Sequence, residues 1–582
     1  MTSPIVFTNK ARCRDCYKCL RACPVKAIRV QEGQARVVAE DCIACGTCVR
    51  ACPQGAKQVR DDIAAALALL DAAAERGDPV AVSVAPSFPA VLGEDTWRRL
   101  PSALRRLGFS FIAETAVGAH VVARSTREHV AAHPDQSHVS SCCPAVVAYV
   151  ESEHPELVPL LVPVVSPMLE HARSLKARLG SASKVVFVGP CVAKKAEAER
   201  APFAGLVDVV LTFRELAQVL EARGVHVHGC EESDFDEQPG GASRFFALPG
   251  GLIRAAKMDE DVLSADSVTA AGLEDVTAAL EDLSGAQRSV FLEPLFCAQG
   301  CVSGAGTEQA GHNTYRRRAA VIRYARDHHG ADAERVVAAE RAEFAPRSGL
   351  PTYSEAEIRT VLGRTGKAEP ADQLNCGGCG YATCRDQALA VLRGMAEPEM
   401  CVPYMRRLAE QRTDRIIETS PNGILILDDQ LRILAMNPAF RRLFTCSDAV
   451  LGKSVSYLMD PAPFERVTAG VQEIVERTHN HERYGVVCHE LLYRLPAERQ
   501  VVGIFVNVTQ TKEAQVRLER LRSETLKRAE ELLQHQVRTA QRVAQLLGES
   551  TAQGETLMQK LVLLAAGKGE DEALSWPWDT ST

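Results

Sequence analysis

The 582-residue sequence has no run of about 18 apolar residues, which argues against a helical membrane span. Its first residues, MTSPIVFTNKARC, lack the charged-then-apolar order of an export signal. There is no basic block to hold nucleic acid and no charge run that would form a solvated tail, and the net charge is only −7. These absences predict a cytoplasmic protein with neither membrane nor nucleic acid as a partner. In a reducing compartment disulfides do not persist, so the 20 cysteines point to metal or redox chemistry. The length corresponds to about four domains of roughly 150 residues, and 46% hydrophobic with 24% charged residues is an ordinary globular composition.

The cysteines are grouped. CRDCYKCLRACP and CIACGTCVRACP each carry C-x2-C-x2-C-x3-C-P, the pattern of bacterial two-cluster ferredoxins. Three close cysteines wrap one cube and the fourth reaches the other. Cys13, Cys16, Cys19 and Cys52 are thus expected to hold one [4Fe–4S] cluster, and Cys42, Cys45, Cys48 and Cys23 the second, in an α+β ferredoxin domain over 1–62. Zinc is the alternative ligand. A second set, Cys376, Cys379, Cys384 and Cys401, is spaced C-x2-C-x4-C-x16-C in CGGCGYATCRDQALAVLRGMAEPEMC. Its glycines let backbone approach the sulfurs, and Cys384–Gly394 reads as a short helix. This resembles the small four-cysteine Fe–S domain of electron-transfer and corrinoid-linked proteins, and implies a [4Fe–4S] domain over 368–405, again with zinc as the alternative.

Residues 411–510 carry no metal pattern. TSPNGILILDDQLRILAMNPAFRRLF reads as a strand, a turn at Asp428-Asp429, a second strand, and a helix starting near Asn437. With Ala439, Phe440 and the closing GIFVNVTQTKEAQ, this resembles an α+β PAS sensor domain. The usual Asp-Ile-Thr exit reads Asn507-Val508-Thr509, which weakens the cap of the outgoing helix. His479, His481 and His489 could ligate haem but are expected to be solvated, and Cys488 lacks a flavin-photoreceptor motif, so no ligand is expected. Over 511–566, Leu526, Ala529, Leu533, Val537, Ala540, Ala544 and Leu547 recur at spacings of three and four, one apolar stripe on a helix. Behind a PAS domain this reads as a signalling coiled coil and a homodimer seam; a helix packed on its own chain is the alternative. Gly548 and Gly554 interrupt it before Leu557–Leu564, and 567–582 is a loose tail. His535 is not expected to be a kinase phospho-acceptor, because no ATP-binding domain follows.

Between 78 and 365, strand-like runs alternate with amphipathic helices: PVAVSVAP then TWRRLPSALRRLG, KVVFVGP then AKKAEAER, DVVLT then FRELAQVLEARG. That rhythm predicts an α/β domain with its site beyond the carboxyl ends of strands. Three cysteine motifs stand at such ends: SSCCP (140–144); GPCVAKKAE with Cys191, Lys194 and Glu197; and LEPLFCAQGCVSGAG with Glu293, Cys297 and Cys301. In this order, behind a two-cluster ferredoxin and with SVAPSF (83–88), LTFREL (211–216) and PGGLIRAA (249–256), they resemble the signature motifs of [FeFe]-hydrogenases. The further Fe–S and PAS domains are similar to the sensory branch of that family. The resemblance implies that Cys143, Cys191, Cys297 and Cys301 hold a [4Fe–4S] cube, and that Cys301 also bridges to a diiron subsite carrying CO and cyanide. It implies that Cys142 passes protons, that Lys194 donates to an iron-bound cyanide, and that Glu197 orients Lys194. Cys230, Cys446 and Cys488 match no motif and are expected to be structural thiols.

The chain departs from the family's usual pattern. Gly189 and Leu295 stand where the second and third motifs usually have methionine. Val146 replaces the tryptophan that ends the first motif, and Gly304-Ala305-Gly306 replaces a glycine run closed by glutamine. The helix before the first motif, which usually supplies two proton-relay glutamates, reads VVARSTREHV with only Glu128. LVPVVSPM lacks the serine that usually precedes its Ser-Pro. The cysteine ligands thus survive while the outer proton path looks broken, and losing one relay group costs about 10²–10⁴-fold in an acid–base step. The expectation is a redox or H2 sensor with low hydrogenase activity, reacting H2/H⁺ and exchanging electrons with a redox partner such as ferredoxin. Its signal would pass through the PAS domain to a separate output protein. The rival expectation is a non-catalytic [4Fe–4S] electron-transfer or redox-sensing protein without the diiron subsite. A third is an Fe–S assembly scaffold, which the PAS tail argues against.

Overall fold

The computed structural model describes residues 4–239, 242–258, 266–283, 289–307, 313–328, 338–347, 349 and 351–547, with isolated positions 558, 561, 562 and 565. Gly548, Gly554, most of Leu557–Leu564 and the tail 567–582 lie outside the described residues. The chain divides into two compact units, Met1–Met405 and Arg406–Thr582. No helix among the described residues is long and apolar enough to cross a membrane. All twenty cysteines are free.

The first unit opens with two short antiparallel pairs, Val6–Thr8 with Lys57–Val59 and the hairpin Ile28–Gln31 with Gln34–Val37. Between them sit two one-turn helices, Lys18–Ala22 and Thr47–Ala51, each ending just before the cysteine of a Cys-Pro pair. Proline cannot continue a helix, so each Cys-Pro stops the turn and swings its cysteine away from the preceding three.

Two parallel sheets follow. Strands Val80–Val84, Phe111–Glu114, Lys184–Gly189 and Val209–Thr212 form one, with Phe111–Glu114 and Val209–Thr212 at its edges. Strands Ser267–Ala271, Phe291–Leu295 and His138–Val139 form the other. All five residues of Val80–Val84 and of Phe291–Leu295 are buried, as continuous apolar runs in covered parallel sheets should be. Helices such as Ala116–Ala132, Pro167–Leu179 and Phe213–Ala222 provide the cover. The last of these starts on a capping box between Thr212 and Glu215.

The segment with the third cysteine set carries helices Glu355–Arg364 and Cys384–Leu392, each started by a capping box. The long helix Val402–Thr419 follows.

The second unit contains an antiparallel five-stranded sheet in the order Ile433–Met436, Gly423–Asp428, Gln500–Asn507, Val486–Leu495, Ile474–His481. Short helices Pro438–Leu443 and Ala462–Thr468 cover its buried face around Phe440, Phe444, Phe464 and Phe505. Asn437 is the joint of this unit. Its Oδ1 accepts from Ile424 N and Phe440 N, and its Nδ2 donates to Ile417 O and Asn422 O. At the exit, Asn507 Oδ1 accepts from both Thr509 N and Thr509 Oγ1, so asparagine fills the capping role that the sequence left weak. His481 corrects the expectation of a solvated ring. It is buried against Phe444 and hydrogen-bonded to Glu490 Oε1 at 2.6 Å, because Glu490 is itself buried between His481 and Arg477. His489 pairs with the exposed Glu476. Helix Thr509–Leu547 continues from the sheet. Leu526, Ala529, Leu533 and Val537 are its half-covered positions, while Leu518 and Leu532 are exposed.

Candidate functional site: three cysteine centres in one unit

The three hydrogenase-like motifs converge from the carboxyl ends of strands in both parallel sheets. Cys142 and Cys143 follow His138–Val139, and Cys143 sits at the N-terminus of helix Pro144–Glu153. Cys191 follows Lys184–Gly189, separated by Pro190. Cys297 follows Phe291–Leu295, and Cys301 opens a single 3-10 turn. A cavity of about 90 Å³ is lined by Cys142, Cys143, Cys191, Cys301 and Lys194, and otherwise mostly by apolar side chains such as Met168 and Phe246. Cys297 does not line it but lies beside Cys191 and Cys143.

Cys191, Cys297 and Cys301 are held neutral by their surroundings. Burial pushes Cys191 up to about 12, with the nearby Cys143 adding to it. Burial and then Cys191 push Cys297 up to about 12. Cys301 is raised well above its ordinary value by burial and by Cys143, Cys191 and Cys297. Cysteines gathered in this way suit a centre that supplies positive charge and takes up thiolates, releasing protons as it binds. Four cysteines are the donor set that an iron–sulfur cube takes, and Cys143, Cys191 and Cys301 line one cavity, with Cys297 in the same motif as Cys301.

Cys142 is set apart from the cage. Burial raises its thiol to about 12, against the lowering pull of Ser140 and Lys194. Its backbone N–H donates to Ser140 Oγ at 3.4 Å. Lys194 Nζ donates to Glu197 Oε2 at 2.8 Å, and Ser166 Oγ donates to the same oxygen at 2.9 Å. Burial opposes the ammonium, yet Glu197, followed by Cys191 and Cys143, holds its pKa above the ordinary lysine value.

Glu293, named in the third motif, gains its partners only in the structure, and two further features escape sequence reading. Glu293 is buried and accepts from Leu252 N and Ile253 N at 3.1 Å each; burial raises its carboxyl to about 7. Phe187 takes up space beside Gly189: a Cβ built on Gly189 would lie 2.6 Å from the Phe187 ring. Thr115 lines the cavity and bonds Ser83 Oγ at 2.7 Å. Ser83 in turn bonds His171 Nδ1 at 2.8 Å, and His171 Nε2 lies 3.7 Å from Glu237. Glu128, the remaining acid of the preceding helix, points outward and pairs with Arg124.

In the ferredoxin segment, Cys23, Cys42, Cys45 and Cys48 line one small cavity. Cys19 lies beside Cys13 and Cys52, while Cys16 is exposed. Lys57, also unremarked in the sequence, is buried and donates to Thr8 Oγ1 and Ala35 O. Burial raises the thiols of Cys19 and Cys48, and Lys57 opposes that rise; the Cys52 thiol is lowered, its burial being outweighed by backbone hydrogen bonds from Lys57, Ala56 and Gln54. The loop Ile43–Cys45 packs into the same core as Cys143 and Cys191, and Arg50 Nη1 donates to Ser303 O at 2.9 Å. In the third segment, Cys376, Cys379, Cys384 and Cys401 line a cavity with Lys367, and the Cys401 and Cys384 sulfurs hydrogen-bond that lysine. Cys230 and Cys488 are buried, and Cys446 is half-buried against Met436.

Comparison with known proteins agrees with these boundaries of chemistry. A 4Fe-4S dicluster domain model matches residues 5–53, and the model for the iron only hydrogenase large subunit, C-terminal domain, matches 78–305. An Fe-S cluster model matches 372–403 and a PAS domain model matches 411–478. The NADP-reducing hydrogenase subunit HndD of Solidesulfovibrio fructosivorans is 28% identical over 300 residues, covering 41% of this chain and 51% of that protein. Iron hydrogenase 1 of Clostridium pasteurianum is 32% identical over 203 residues, 30% of this chain and 35% of that protein. Cytosolic iron-sulfur assembly component 3 of Pongo abelii is 30% identical over 200 residues, 28% of this chain and 40% of that protein. The chain thus spans about half or less of the length of these relatives. With iron–sulfur domains at 5–53 and 372–403 around the hydrogenase-type domain, the chain is a hydrogenase-like iron–sulfur protein that also carries a PAS domain.

Proposed function

We propose that the protein is a cytoplasmic redox sensor whose hydrogenase-like site reacts with H2/H⁺ and whose PAS domain and C-terminal helix pass the redox state to a separate output protein. The observation that carries this reading is the cavity beside Cys301, lined by Cys142 and Lys194 as well as by cage cysteines. A cubane alone needs neither a thiol outside its ligand set nor an ammonium facing an apolar chamber. Cys301 would hold a diiron unit, which would supply the H2-activating chemistry and bring anionic ligands. Lys194, kept charged by Glu197, is suited to hold an anionic ligand by a charge-assisted hydrogen bond. Cys142, a neutral thiol open to the cavity, is suited to hold and move the proton at Sγ. The apolar lining excludes bulk water. The four cubane sites, at Cys13/16/19/52, Cys23/42/45/48, Cys376/379/384/401 and Cys143/191/297/301, would carry electrons to a partner such as ferredoxin, and the stripe on helix Thr509–Leu547 would form a homodimer seam.

A second reading is favoured by the relationship to assembly component 3 and by the Phe187 ring at the wall of the chamber: a non-catalytic [4Fe–4S] redox protein. The two separate in the infrared spectrum of anaerobic protein co-expressed with hydrogenase maturases. Bands in the CO and cyanide stretching region are expected. Their absence beside a working hydrogenase control would leave the second reading. Removing residues 411–582 and finding downstream regulation intact would overturn the sensory part.

A further inference from the structure

The third cysteine segment lies directly on the ferredoxin segment. Leu20 stands on helix Lys18–Ala22, one residue after Cys19 and three before Cys23, and it is fully buried. Gly380, next to Cys379, presses against it: a Cβ at Gly380 would lie 3.0 Å from Leu20 Cδ2 and Cγ, and its φ of +98° suits only glycine. Cys19, Leu20, Cys23, Cys379, Tyr381 and Met400 belong to one apolar core. Hydrogen bonds stitch its rim: Val30 N donates to Met395 O at 2.9 Å, Glu32 N to Glu397 Oε1 at 2.6 Å, and Arg21 Nη1 to Gly378 O at 3.4 Å. Tyr381 is buried beside both Cys379 and Cys23. Its hydroxyl has no hydrogen-bond partner among the described residues. A buried phenol normally finds one. Here the donor is held beside cysteine sulfurs, which become strong acceptors only when they carry a cluster's charge. On its other side, the Cys23/42/45/48 site reaches the hydrogenase-like cage: Cys45 packs against the same core as Cys143 and Cys191, and Arg50, two residues after Cys48, donates to Ser303 O, two residues after Cys301, at 2.9 Å.

We propose that Leu20, Gly380 and Tyr381 form a direct electron-transfer contact between the Cys376/379/384/401 site and the Cys23/42/45/48 site. The latter is thereby a junction with the hydrogenase-like cage, bypassing the Cys13/16/19/52 site. The step moves one electron from a reduced cubane to its oxidised neighbour. No bond is made or broken, and no proton is required. The electron comes from H2 or from the redox partner. The inference rests on the iron–sulfur part of the proposed function and not on the diiron unit.

The test is electron paramagnetic resonance of the full chain, reconstituted anaerobically with iron and sulfide and then reduced. Spin–spin splitting of the Cys376/379/384/401 signal is expected to survive Cys13→Ala/Cys16→Ala and to collapse in Cys42→Ala/Cys48→Ala, each variant having lost one cluster's iron. Gly380→Val keeps every ligand. It should weaken the splitting at unchanged iron content by forcing the loop off Leu20. Splitting that vanishes in the first variant, persists in the second, or is untouched by Gly380→Val overturns the proposal. If Cys384→Ala/Cys401→Ala leaves both iron content and spectrum unchanged, that site holds no cluster, and the iron–sulfur reading of the segment fails instead.

Discussion

Replacing Glu197 by glutamine should destabilise the first unit far more than replacing Glu197 and Lys194 together. The two side chains are 8% and 10% exposed and meet at 2.8 Å. Removing one partner of a buried ion pair costs about 3–5 kcal/mol, because the other charge is left buried, whereas replacing both by neutral groups can be close to neutral. Glutamine keeps the shape and still accepts from Ser166. Cys191 and Cys143 continue to favour the ammonium. The cost of Glu197→Gln therefore falls at the low end, about 3 kcal/mol, or roughly 100-fold at about 1.4 kcal/mol per tenfold. Because Lys194 is raised, its contribution is complete below the unfolded lysine pKa and is lost only as pH climbs through the folded value. Near-neutral buffers thus leave the comparison untouched. Several domains and clusters rule out a single equilibrium transition, so the quantity to follow is the unfolding rate, read from loss of the iron–sulfur absorption after a jump into denaturant. Glu197→Gln should unfold roughly 100-fold faster, and Lys194→Met/Glu197→Gln within about tenfold of the parent. Equal acceleration of single and double variants would show that Glu197 does not sustain the Lys194 charge, and would remove its positioning role.

Four further outcomes follow from the same geometry. Gly189→Met should lose about 1–3 kcal/mol by overpacking against Phe187. Gly189→Met/Phe187→Ala should recover most of it, which unfolding rates of the two variants compare. Glu293 is raised to about 7 from 4.5, so between those values the folded chain holds a proton that the unfolded chain has released, and stability falls as pH rises through that window; unfolding rates of Glu293→Gln should lack the slope. Asn437→Ala removes four hydrogen bonds and an N-cap, so the isolated PAS sheet signal in hydrogen exchange should weaken by at least about 2 kcal/mol. If protons reach the cavity through His171, Ser83 and Thr115, His171→Phe should slow H2/D⁺ exchange and flatten its pH profile while iron content and the infrared bands stay unchanged; an unaltered exchange profile would exclude that route.

The ferredoxin runs and the 376–401 set stand out because their cysteines lie in short local patterns, whereas Cys143, Cys191, Cys297 and Cys301 are spread over three motifs. The strand-end position of Cys143, Cys191 and Cys297 was legible because covered parallel strands read as apolar runs followed by helices. The helix near Asn437 and the one starting at Cys384 carry their own caps and so announced themselves. What was hidden depends on which side chains meet, whether near in the chain or far. Nothing local marks Gly380 as the residue that meets Leu20, and the short spacing of Phe187 and Gly189 on one strand does not by itself show that the ring fills the space a Cβ would take. His481 reads as one histidine among three until Glu490 is seen to be buried beside it. The partners of Thr115, at Ser83 and His171, come from a strand and a helix far apart in the chain.

The lysines make the same point and carry it to function. Lys195 is buried against Asp62 and Glu215, an arrangement that satisfies its charge within the protein. Lys57, Lys194 and Lys367 are buried too, but each lies beside cysteine sulfurs. For Lys57 the hydrogen bonds go to the neutral Thr8 hydroxyl and Ala35 carbonyl, and for Lys367 they go to the Cys401 and Cys384 sulfurs. Burying an ammonium without a compensating anion is costly. Thiols pushed towards neutrality by burial compensate poorly, whereas four thiolates around a cubane bring net negative charge to the same place. Lys194 already has the Glu197 carboxylate, whereas Lys57 and Lys367 are balanced when their centres are loaded and strained when they are not. Loading should stabilise the first unit beyond the metal–sulfur bonds themselves, and Lys367→Met should lower the reduction potential of the Cys376/379/384/401 centre, since the reduced form gains most from a nearby cation. A potential that stays put or rises in a redox titration of that variant would mean that the ammonium is neutralised by some other group.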